Sequence, residues 1–144
     1  MARLNKGVGF ASVCLGFTLL ASPLADAEDA GEKWIAVSNT AMSITGDIEL
    51  SPTAITMSTG SVLPLEAVKG DVPNLYRFTH ANDLKLLRDN TFCLPHTEVG
   101  YVVLNYRGKE ELEIDVFDGD EAPHSADELE SQPGFCASYF YQKP

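Results

Sequence analysis

Three things are scarce in this chain: cysteine, cationic side chains and, after the first two dozen residues, any long apolar run. Beyond Ala27 no stretch approaches the roughly 20 apolar residues that a membrane-spanning helix needs, so the mature protein is expected to be soluble, without membrane insertion. Lysine and arginine total 10 against 21 aspartates and glutamates. That balance repels phosphate backbones and anionic headgroups and argues against a nucleic-acid or lipid partner. No Gly-x-Ser-x-Gly occurs, so the strand-to-helix nucleophile turn of many hydrolases is missing. The three histidines, His80, His96 and His124, stand too far from one another to supply the ligand spacing of zinc. Nor does Asn-x-Ser or Asn-x-Thr occur after Ala27, so glycosylation gives no hint of a eukaryotic secretory origin.

What the chain does have begins with an export signal. Arg3 and Lys6 form a charged start, Val8 to Leu20 an apolar stretch, and Ala25-Asp26-Ala27 a small-residue cleavage site. Residues 1–27 are therefore expected to be a signal peptide, and 28–144 one β domain of ordinary size. Cys14 lies inside the signal, preceded by Ala11-Ser12-Val13, a poor lipoprotein site. Cys93 and Cys136 then remain as an even pair. In an oxidising compartment, the bacterial periplasm by preference or the extracellular space, they are expected to form a disulfide. Losing Arg3, Lys6 and Asp26 leaves 8 basic and 20 acidic residues, a mature charge of -12.

Period-2 alternation recurs and sustained helical periodicity is nearly absent, which predicts an all-β fold with minor helix. The clearest hairpin pairs Tyr101–Tyr106 with a strand carrying Leu112, Ile114 and Val116, joined at Arg107-Gly108-Lys109-Glu110. Weaker runs cover Trp34–Val37, Met42–Leu50 with Gly46 as a bulge or sharp bend, Ala54–Met57, Val62–Val68 with Pro64 at an edge, Leu75–His80 and Phe135–Tyr141. A turn or two of helix capped by Asn82 is expected after His80, and a capping box at Ser125 and Glu128 predicts a second short helix to Ser131. Seven to eight short strands at this spacing make a small antiparallel barrel or sandwich.

The candidate chemistry is sparse. Asp115, Asp118, Asp120 and Glu121 surround Gly119 without the spacing of an EF-hand. Asp47, Glu49 and Glu66 are the carboxylates that a hydrolase would have to bring together across strands. Tyr139 and Tyr141 alternate with Cys136, Ser138 and Phe140; with the cysteine facing the core, both tyrosines face outward. Beside Glu111, Glu113 and Asp115 they would form an aromatic, acidic binding surface. The expected function is a non-enzymatic binding or inhibitory module acting on a protein, with a cationic protein as the candidate partner and no catalytic residue, metal or cofactor. A lipocalin-like carrier and a carboxylate-dependent hydrolase are the alternatives.

Overall fold

The computed structural model describes residues 30–144. The expected signal peptide, Cys14 included, lies outside them. Eight antiparallel strands follow one another around a closed barrel: β1 (Glu32–Ala36), β2 (Ile48–Ser51), β3 (Ala54–Thr56), β4 (Val62–Ala67), β5 (Leu75–Phe78), β6 (Gly100–Arg107), β7 (Glu111–Asp118) and β8 (Phe135–Gln142). Each strand pairs with its neighbours in sequence, and β1 closes on β8. Closure removes the two free edge strands of an open sheet, although the β1–β8 seam itself is short, at Ile35 and Ala36.

Register follows side-chain chemistry. Leu104 lies opposite Ile114, Val102 opposite Val116, Ile114 opposite Tyr139, and Leu50 opposite Ile55, so apolar residues share the inner face strand after strand. An eight-stranded barrel encloses about the volume its own side chains fill. Here Phe92 enters from the β5–β6 connection, stacks on Tyr139 at 5.3 Å between ring centroids and meets Phe78 edge-on at 5.6 Å. Trp34, Leu63, Leu112 and Val102 complete the interior.

Long connections gather at one end. Ser38 caps helix α1 (Asn39–Ile44) by accepting from the Ala41 N–H, and its Oγ also accepts from the Phe140 N–H of β8. The run predicted as a strand from Met42 is thus helical to Ile44. Its side-chain cap satisfies a helix N-terminus that a strand would not have. Gly46 has φ +63° and turns the chain out of the helix, the sharp bend of the two alternatives expected there. After β5, the expected helix at Asn82 resolves into two separate 3₁₀ turns, Ala81–Asp83 and Leu87–Asp89, the first ended by extended Leu84 and the second containing left-handed Arg88. The predicted helix from Ser125 shrinks likewise to a 3₁₀ turn at Leu129–Ser131. Ser125 binds the Asp127 N–H and left-handed Glu128 makes no return bond. Pro64 sits at a local edge, as expected: β4 pairs with β3 through Val62–Pro64 and with β5 only from Leu65 on, so the proline lies where the strand changes partners and is paired on one side.

The expected disulfide joins Cys93 in the β5–β6 connection to Cys136 in β8, with Cα atoms 5.5 Å apart. Cys136 is the extra residue of a bulge, since Phe117 pairs with Phe135 and Val116 with Ala137. The bridge thus ties the plugged end of the barrel across 43 residues of sequence.

Candidate functional site

The bulge corrects the sequence reading of β8. Past it, Ser138 and Phe140 lie across from Asp115 and Glu113 on the outer face, while Tyr139 and Tyr141 oppose Ile114 and Leu112 inside. Both tyrosines are buried, at 0% and 2% exposure, and belong to the core. The Tyr139 hydroxyl donates to the Phe92 carbonyl at 2.5 Å, and the Tyr141 hydroxyl shares a hydrogen bond of 2.7 Å with Thr45. Burial drives both phenol pKa values well above the ordinary range. The aromatic part of the predicted surface is therefore absent from the outside of the barrel.

Its carboxylates do face outward, yet only Glu111 is exposed. Glu113 is 7% exposed and pairs with Arg107, whose guanidinium also lies over the Phe140 ring. Asp115 is 2% exposed and accepts hydrogen bonds from Asn105 Nδ2 at 2.7 Å and from the Ser138 hydroxyl. Burial raises its pKa; the Ser138 bond opposes that, Glu113 adds to it, the Asn105 bond opposes it, and Glu130 adds again. Beside it on the outer face lies a second apolar cluster, in which Val103, opposite Asp115, and Phe117 meet Val72, Leu75 and Leu129.

Leu129 belongs to the β7–β8 connection, residues 119–134, which folds back over the outer face as a flap. Gln132 fixes its path. Its Oε1 accepts from the His124 N–H at 2.7 Å, and its Nε2 donates to the carbonyls of Ser125 and Asp127 at 2.8 and 2.9 Å. With its apolar side chain committed inward, the flap turns Asp120, Glu121, Asp127, Glu128 and Glu130 to solvent. Residues 110–142 hold 10 of the chain's 21 carboxylates and not one lysine or arginine. Sequence reading took the acidic turn only as far as Glu121. The signal it missed is the 33-residue interval without lysine or arginine between Lys109 and Lys143.

The acidic residues do not assemble into a cation cage. Asp118 accepts from the Thr97 hydroxyl at 2.6 Å, and Asp120 pairs with Arg77 at 3.0 Å. Among the described residues no group of three or more potential metal ligands converges. Asp47, Glu49 and Glu66 are likewise apart: Asp47 accepts from the Ala36 N–H, Glu49 lies across from Lys33 and Thr56, and Glu66 across from Arg77.

The opposite end of the barrel is open. There β1 pairs with β8 only at Ile35 and Ala36, so the seam parts around Glu32 and Trp34. A cavity of about 720 Å³ lies between them, the β6–β7 turn and Lys143. Gly108, at φ +66°, lets that turn close tightly beside it. Lys143 Nζ sits 4.2 Å from the centre of the Trp34 ring and 3.1 Å from a Glu32 carboxylate oxygen. Tyr106 packs on Trp34 at 6.0 Å; burial first, then Tyr76 and Glu32, raise the pKa of its phenol. The Trp34 indole N–H is buried without a hydrogen-bond partner among the described residues.

No protein-family model matches the chain, and neither a curated protein nor a solved structure does. Among the described residues no helix is long and apolar enough to cross a membrane.

Proposed function

We propose that this chain is an exported, non-enzymatic binding or inhibitory module whose partner is a basic protein, engaged through the acidic flap. The observation that carries this reading is the flap itself: five exposed carboxylates on a framework pinned by Gln132, in an interval free of lysine and arginine. Fixed charge of one sign steers an oppositely charged partner and speeds association. A closed barrel tied by a disulfide supports it, because a rigid scaffold loses little conformational freedom on binding. The disulfide is compatible with export to an oxidising compartment, and the predicted signal peptide argues for it.

The test is capture on immobilised protein. A specific basic envelope or host protein should bind in low salt and elute as salt shortens the range of the charges. Neutralising the flap as Asp120→Asn, Glu121→Gln, Asp127→Asn, Glu128→Gln and Glu130→Gln should abolish capture. Undiminished capture by that variant, or none by the native protein, would refute the reading.

A further inference from the structure

The open end of the barrel carries a site of different chemistry from the flap. Its parts are an aromatic face, a carboxylate and a cavity, and one group already occupies it. The Lys143 ammonium rests on the Trp34 ring at 4.2 Å while Glu32 holds it at 3.1 Å. An aromatic face with a neighbouring carboxylate is the arrangement that attracts an alkylammonium, by ring quadrupole and by charge together. Lys143 is held to it through the backbone, since its N–H donates to the Glu110 carbonyl at 2.8 Å. The cavity of about 720 Å³ beside this pair is within the range of ligand sites, and the seam between β1 and β8 opens onto it.

We propose that Glu32 and Trp34 form a recognition site for a primary ammonium group, that Lys143 is its built-in occupant, and that a lysine-bearing segment of a basic protein docks by displacing it. The incoming segment supplies the ammonium. Lys143 competes at the high effective concentration of a tethered group, so it sets a threshold that a lone amine does not pass and a run of lysines does. The proposal rests on the reading that the partner is basic, and it concerns the end of the barrel away from the flap.

Trp34 is the chain's single tryptophan, so its fluorescence reports on this site alone. The purified protein is titrated with an acetylated, amidated hexalysine peptide, as native protein, as Lys143→Ala, and as Lys143→Ala with Glu32→Gln. Without peptide, Lys143→Ala should shift the Trp34 emission to longer wavelength. With peptide it should bind at least fivefold more tightly than native protein, and Glu32→Gln should cancel that gain. Glu32 is exposed, so loss of fold is not expected, and unchanged circular dichroism verifies it. Equal affinity of native protein and Lys143→Ala, or indifference to Glu32→Gln, would overturn the proposal. Should that happen while flap neutralisation still abolishes partner capture, the binding module stands and the ammonium site falls.

Discussion

Tyr139 shows how one residue's surroundings decide its role. Its hydroxyl supplies the hydrogen bond that the Phe92 carbonyl needs inside the barrel. Tyr139→Phe keeps the ring stacking and strands that carbonyl, at a cost of about 1–2 kcal/mol in urea unfolding. A surface tyrosine would show no such loss. Asp115 offers the complementary case. Its raised pKa means that the folded state favours the protonated form. The stability this supplies is fully present below the ordinary carboxylate pKa and is lost as pH rises through the raised one. Asp115→Asn should therefore flatten the stability-versus-pH profile between the two values and make the protein more stable at neutral pH. An unchanged slope would show that another group sets it.

At the scale of elements, the strands were legible because alternation and burial on one face are the same fact, as Leu112, Ile114 and Val116 show on β7. The face presented by β8 was not, because parity was counted from Cys136. A bulge residue belongs to neither phase, and nothing local in Phe135-Cys136-Ala137 announces the bulge. The outward direction of Glu113 and Asp115 was legible as well; their burial was not, since the partners that enclose their charge, Arg107 for Glu113 and Asn105 and Ser138 for Asp115, are brought beside them only by strand register. The short helices failed for a related reason: propensity proposes a helix, and tertiary contacts decide its length. Gln132 is the flap's organiser by its three hydrogen bonds. Gln132→Ala should speed hydrogen exchange at residues 124–132 at least tenfold while moving the urea midpoint of the barrel little. Equal protection in both proteins would mean that Leu129 alone anchors the flap.

Across the whole molecule, the disulfide and the barrel do separate jobs. Replacing Cys93 and Cys136 with alanine should cost about 4 kcal/mol on the entropy account of a 43-residue separation, measured by urea unfolding of both forms. Electrostatics divides the surface: the β6–β7 turn mixes Arg107 and Lys109 with Glu110 and Glu111, while the flap carries carboxylate charge with His124 as its one basic side chain. Diffusional encounter responds to such an asymmetry, and its salt dependence measures how many charges take part. The most direct measurement is therefore the association rate of the captured basic partner on native and flap-neutralised protein over a range of salt. The account predicts a rate that falls steeply with salt for the native protein and is slow and nearly flat for the neutralised one. Parallel, equally steep curves would contradict it.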